Sequence, residues 1–192
     1  VYKLKSSEVS EETIGEGSQK IWVFFNFSQI PFQALPAIVA NCNYFVVEYD
    51  YKFCRYRSIE LHEATEGKTC DCRDTQHGKL VSAFFAGAEH IFWMSKQQKE
   101  RYESNFSFLS DTETTVLSSI FTADDFSHIE RLRTARAENT SLSKKYAIID
   151  SKSWIKGVED TKKHLEDQQI DFDLLSGLSY QDMLRKLSEY TG

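Results

Sequence analysis

The stretch His90–Tyr102, HIFWMSKQQKERY, decides how the chain reads. His90–Met94 is a short apolar run of large side chains, and it stops at Ser95, where a polar segment with helical character begins at once. A serine in that place accepts from a free backbone N–H of a helix's first turn, so a strand ends and a capped helix starts within two residues. Thr115–Phe121, TVLSSIF, supplies the next strand. Strand, cap, helix and strand make half of a parallel α/β unit, and the flanking sequence extends it.

Upstream, Lys20–Phe27 (KIWVFFNF) is a continuous apolar run of the kind that parallel sheets bury on both faces. Pro36 before AIVA suits the first position of a short helix. Asn43–Tyr51 (NYFVVEYDY) is the second strand, Arg55–Gln76 a polar cysteine-bearing loop, and Leu80–Ala88 a buried helix feeding the His90 strand. Residues 1–19 read as a loosely held polar arm. Downstream, Asp124–Ala137 carries Phe126, Ile129, Leu132 and Arg133 at helical spacing, and Glu138–Ser143 (ENTSLS) is a linker. The pattern then restarts: strand Lys145–Asp150, loop Ser151–Gly157, helix Val158–Gln168, strand Asp171–Leu175 and helix Tyr180–Glu189. The expected fold is α/β, a Rossmann-like parallel sheet with flanking helices. It comprises an arm at 1–19, a domain at 20–139 and an incomplete second β-α-β-α unit at 144–192. Two strands do not complete a sheet. The second unit, like the start at Val1, therefore reads as part of a longer chain.

A hydrophobic content of 41% over 192 residues is enough to bury one good core. The net charge of −6 argues against a nucleic-acid surface. No apolar run approaches the roughly 20 residues that span a bilayer, and no signal-peptide pattern is present. The expectation is a cytoplasmic protein whose four cysteines are reduced, with peripheral membrane contact left open.

Ligands of open α/β sheets bind outside the carboxyl ends of the strands. Tyr49-Asp50-Tyr51-Lys52 lies at such an end, as do Ser95, Ser118-Ser119 and the Ser151–Gly157 loop. Together they read as the lining of a site between two domains, although any one of these residues can equally serve as a helix cap. Cys54, His62, Cys70, Cys72 and His77, with Cys42 upstream, place three thiols and two imidazoles within 24 positions, a set able to hold a tetrahedral Zn²⁺. Cys-Asp-Cys is not the usual C-x₂₋₄-C knuckle and no second knuckle follows, so the expectation is ordinary reduced cysteines and no metal. The basic residues Lys52, Arg55, Arg57, Lys68 and Arg73 flank the same mouth and face either an anion or water. No glycine-rich phosphate loop is present.

The element order resembles the GT-B glycosyltransferases, in particular the retaining, nucleotide-sugar-dependent enzymes of group 1. VVEYDYK is similar to the family's N-domain strand that runs into a polar mouth. IFWMSKQQKERY resembles its "vivvS" strand and following helix, and TVLSSIF its "vipNGvD" stretch, here without the Asn-Gly pair. YAIIDSKSWIKGVEDTKKHL resembles the opening of the second domain, with SKSWIKG similar to the "R…KG" loop whose basic residue meets the donor diphosphate. The resemblance implies Lys156 and Gly157 as donor-binding residues, with Ser151 and Ser153 lining their loop. It implies Asp50 or Glu48 as the group that orients or deprotonates an acceptor hydroxyl, and Lys52, Ser95, Ser118 and Ser119 as cleft lining. The family's catalytic histidine has no counterpart, Asp50 lying nearest, and its E-x₇-E segment would fall beyond residue 192. The implied activity is transfer of a sugar from a nucleotide-sugar to a carbohydrate or other hydroxyl acceptor, without cofactor or metal, by a chain that is inactive alone. The other reading is a non-catalytic α/β binding module with the cysteine loop as a structural staple.

Overall fold

Four short parallel strands, β1 (Ile21–Phe24), β2 (Asn43–Glu48), β3 (His90–Trp93) and β4 (Thr114–Val116), form one sheet in the order β1-β2-β3-β4. They belong to a computed structural model that describes residues 1–118 and 121–191 and divides into two compact units, Val1–Ile120 and Phe121–Gly192. Alternation along the strands decides which side chains are inside. Trp22, Phe24, Tyr44, Val46, Ile91 and Trp93 share one face, and all but the half-buried Trp22 are buried. The opposite face is barer at the β1 edge, where Ile21 is 71% and Val23 46% exposed.

Among the described residues five α-helices accompany this sheet: α1 (Glu11–Gly17), α2 (Leu35–Asn41), α3 (Ile59–Glu66), α4 (Gln76–Ala86) and α5 (Lys96–Asn105). Crossovers between successive parallel strands are right-handed in nearly all proteins, which carries their helices to one side, and the main core cluster lies on the face of Phe24, Tyr44 and Trp93. Ile14, Ile38, Val81, Phe84, Phe85 and Tyr102 pack with the buried sheet residues in a single cluster. Aromatic rings set its geometry. Tyr44 stacks on Phe84 at 4.9 Å and donates its hydroxyl to the Phe84 carbonyl at 2.6 Å, while Trp93 lies 4.7 Å from Tyr102. Burying a ring of this size contributes on the order of 2–3 kcal/mol.

Ser95 caps α5 as its sequence position implies, with extended backbone and its hydroxyl accepting from Gln98 N–H at 3.0 Å. Gln98 reaches back to accept from Met94 N–H at 2.8 Å, so two free amides at this end are satisfied reciprocally. Ser95→Ala should cost about 1 kcal/mol; a urea midpoint unchanged from wild type would contradict the capping role.

Three segments differ from the sequence expectation. Residues 1–19 are not a loose arm: Ser10 caps α1 by accepting from Thr13 N–H, and Val9 and Ile14 are buried in the core. Gly17 lets α1 close on β1, since a Cβ there would come within 2.3 Å of the Trp22 ring. The segment 55–76 is not a plain loop but contains α3, capped by Ser58 and ended by Gly67 at φ 67°. Strand β4 stops at Val116, well short of Phe121, and Ser119 lies outside the described residues.

The second unit contains α6 (Ala123–Glu138), β5 (Tyr146–Ile149), α7 (Val158–Asp167), β6 (Phe172–Leu175) and α8 (Tyr180–Leu187), with β5 and β6 paired in parallel. Ile148, Val158 and Leu165 form its small core, joined by Ile170 and Phe172. Helix α6, expected with the first domain, belongs to this unit, where Arg136 donates to the Thr191 carbonyl at 3.2 Å. Thr191 N–H in turn donates to the Ser143 carbonyl at 2.9 Å, so the ENTSLS stretch is tied inside the second unit. Among the described residues no helix is long and apolar enough to cross a membrane.

Candidate functional site

The chain leaves β2 at Glu48 and turns at once through Asp50 and Lys52, which brings three ionisable groups into one buried knot. Lys52 Nζ donates to Glu48 Oε1 at 3.1 Å and stands 3.1 Å from Asp50 Oδ1. The second approach is too poorly directed to be a hydrogen bond, so it is coulombic. The backbone N–H of Asp50 donates to Glu48 Oε1 at 3.0 Å, and Arg57 donates to Asp50 Oδ2 through Nε, at 2.8 Å, and Nη2. From α5, Tyr102 donates its hydroxyl to the Asp50 carbonyl and accepts from Lys52 N–H, both at 3.1 Å, and Gln98 donates to the same carbonyl at 3.3 Å. The turn is thus bolted to the helix that Ser95 starts.

This geometry sorts the candidates. Glu48 is 0% exposed and Lys52 3%, so neither touches a substrate. The expectation of Glu48 as a base and Lys52 as cleft lining is corrected: both are internal, and they hold Asp50. The side chain of Asp50 keeps 21% exposure and is the one carboxylate of the knot that reaches solvent. Burial pushes the Glu48 carboxyl up to about 8; Lys52 opposes the shift and Asp50 adds to it. Burial likewise raises the Tyr102 hydroxyl, which the same two carboxyls push further. Ser95 is used as a cap. Ser118 is exposed in a left-handed conformation, φ 60°, just past β4.

The β2–β3 crossover gathers a second group. Cys54 sits in the turn after β2, His62 is the only buried residue of α3, and Cys70 and Cys72 precede α4. His62 Nδ1 lies 3.3 Å from Cys72 Sγ and 3.7 Å from Cys54 Sγ. His77, the fifth member suggested by sequence, stands apart: its Nε2 bonds the Lys52 carbonyl at 2.7 Å and its ring stacks on Phe32. Burial raises the thiols of Cys54 and Cys70, the latter to about 12.

In the second unit the loop after β5 folds around Ser151, whose hydroxyl accepts from Ser153 N–H at 3.2 Å. A turn of 3₁₀ helix, Trp154–Lys156, ends at Gly157, φ 66°, and α7 begins at the next residue. A Cβ on Gly157 would meet nothing within 4 Å, so glycine is needed there for its backbone angle and not for space. Among the described residues no side chain caps α7, and Lys156 is exposed beside its first turn. Glu159 and Asp160 in that turn place negative charge nearby, partly offset by Lys162, 3.1 Å from Glu159.

Sequence reasoning missed Tyr102, Gln98 and Asp71 as members of these sites. The first two signal themselves only as polar groups on the buried face of α5, a face that the order of elements alone does not reveal. No family model, curated protein or solved structure matches the chain.

Proposed function

We propose that this chain serves in glycosyl transfer from a nucleotide-sugar, with the first unit on the acceptor side and the second on the donor side. The observation that carries the reading is the uncapped start of α7, where a left-handed Gly157 leads into free N–H groups beside Lys156. Free amides and the helix dipole favour an anion, and a lysine adds its charge. Such a group stabilises a departing nucleoside diphosphate as the glycosidic bond breaks. In the first unit Asp50, held by Arg57 and Lys52, is the carboxylate able to orient or take a proton from an acceptor hydroxyl.

The test is titration of the chain with UDP-, GDP-, ADP- and dTDP-hexoses, followed through backbone amide resonances. Binding with a Kd of about 1 mM or weaker is expected, because an exposed charge contact contributes little alone. Shifts should centre on residues 156–160. Lys156→Ala should weaken binding about tenfold, or about 1.4 kcal/mol, while Asp50→Asn leaves it unchanged. No shift in that segment with any of the four sugars would sink the reading. The second reading, a binding module with a cysteine staple, is favoured by the convergence of Cys54, His62, Cys70 and Cys72. It expects no response to nucleotide-sugars at all.

A further inference from the structure

We infer that Cys54, His62, Cys70 and Cys72 form a structural zinc site that ties together three segments of the β2–β3 crossover. Their ligand atoms all lie within 4.8 Å of one another. A tetrahedral zinc with bonds of about 2.3 Å to sulfur and about 2.0 Å to nitrogen has edges of about 3.5–3.8 Å. The separations of His62 Nδ1 from Cys72 and Cys54, 3.3 and 3.7 Å, are close to such edges. Cys54, His62 and Cys72 are buried and Cys70 half-buried, unlike an exposed carboxylate cluster that water satisfies. Three thiolates and an imidazole are the soft donor set that selects zinc over magnesium or calcium, and four protein ligands leave no open position for chemistry.

Independent support comes from the far side of the imidazole. His62 Nε2 is buried with no hydrogen-bond partner among the described residues, and it faces the Asp71 carboxylate at 3.9 Å. A zinc-bound histidine characteristically directs its other ring N–H at a carboxylate, which fixes the ring. Asp71 is itself held by Lys68 at 2.6 Å. Disulfide formation explains less: any pair among the three thiols leaves the third and the imidazole without a role. Gly78 also acquires a reason. A Cβ there would fall 2.1 Å from the Cys72 carbonyl oxygen, so only glycine lets α4 pack against the turn that presents Cys72. Binding releases the thiol protons to solvent, and Zn²⁺ with three thiolates carries one net negative charge. Arg55, Lys68 and Arg73 lie near these ligands in sequence, and each is paired with a carboxylate, Arg55 with Glu66, Lys68 with Asp71 and Arg73 with Asp74.

The site would anchor the turn that carries Asp50 and Lys52 to α3 and to the start of α4. The experiment uses the whole chain, purified under reductant without added zinc. Elemental analysis should give one zinc per chain. Cobalt titration of the chelator-stripped protein should give thiolate-to-cobalt charge-transfer absorption and the visible bands of a tetrahedral ion. These should saturate at one equivalent and vanish when zinc is added. Only Cys42 should alkylate in the metal-bound form, and all four cysteines after stripping. Cys70→Ser, at the most accessible of the four ligands, should weaken cobalt binding at least a hundredfold, while His77→Ala should not change it. A chain that carries no zinc and gives no tetrahedral cobalt spectrum overturns the site. So does a spectrum that Cys70→Ser and Cys72→Ser leave unchanged.

Discussion

At pH 9, where Glu48 is ionised, Lys52→Met should destabilise the protein by about 3–5 kcal/mol, because it takes the one ammonium away from the buried Glu48 carboxylate and from Asp50 beside it. The side chain of Lys52 is 2% exposed, with its Nζ 3.1 Å from both Glu48 Oε1 and Asp50 Oδ1. Asp50 keeps Arg57, whereas among the described residues Glu48 is left with the Asp50 amide. The loss should therefore be larger at pH 9 than at pH 6, where a proton on Glu48 relieves the unpaired charge. The double variant Lys52→Met/Glu48→Gln should recover more than half of it. Urea unfolding of the two variants decides the matter, and equal losses in single and double variants would show that the methionine acts by packing alone.

Glu48 should make stability fall as the pH rises. In the unfolded chain its carboxyl titrates near the ordinary value of about 4.3, and in the folded protein burial carries it to about 8. Between those values the folded protein holds a proton that the unfolded chain has released, so each pH unit costs up to about 1.4 kcal/mol. The contribution is fully present below about pH 4 and is lost as the pH passes through about 8. Lys52 and Asp50 act on this carboxyl in opposite directions, and Tyr102 closes the knot from α5. Glu48→Gln removes the titrating group but keeps its shape. Between pH 5 and pH 9 wild type should lose a few kcal/mol relative to this variant; parallel stability curves would contradict the buried titration.

Much of the first sheet is legible because its strands are runs of large apolar residues and the cap at Ser95 marks one boundary to the residue. What escapes is wherever one side chain does the work that a pattern usually does. Helix α3, IELHEATE, buries only His62, so hydrophobic periodicity has nothing to register. The amino-terminal segment is anchored chiefly by Val9 and Ile14, with Leu4 against the core and Gly17 against Trp22, a few scattered contacts in a polar background. The thiol–imidazole cluster escapes for a related reason: its ligands arrive from a turn, a helix and a 3₁₀ segment, so the spacing C-x₇-H-x₇-C-x-C matches no single knuckle. Glu48 and Lys52 look like a charged mouth in sequence, and only burial shows that they face inward. The Ser151–Gly157 loop is the reverse case. Its Lys-Gly pair is readable, and Gly157 takes a left-handed conformation at the head of α7.

The plain order β1-β2-β3-β4 bears on how the molecule can be built. Strands β2, β3 and β4 each hydrogen-bond to the strand synthesised immediately before them, and β6 does the same with β5. Among the described strands none has to be held open for a later one to be inserted between two already paired, so this sheet can grow at one edge while translation proceeds from the amino terminus. The long wait falls in the β2–β3 crossover, residues 49–89. During that interval the edge of β2 is bare, and a metal clamp closing Cys54 onto Cys72 would shorten the free chain that must be ordered before β3 docks.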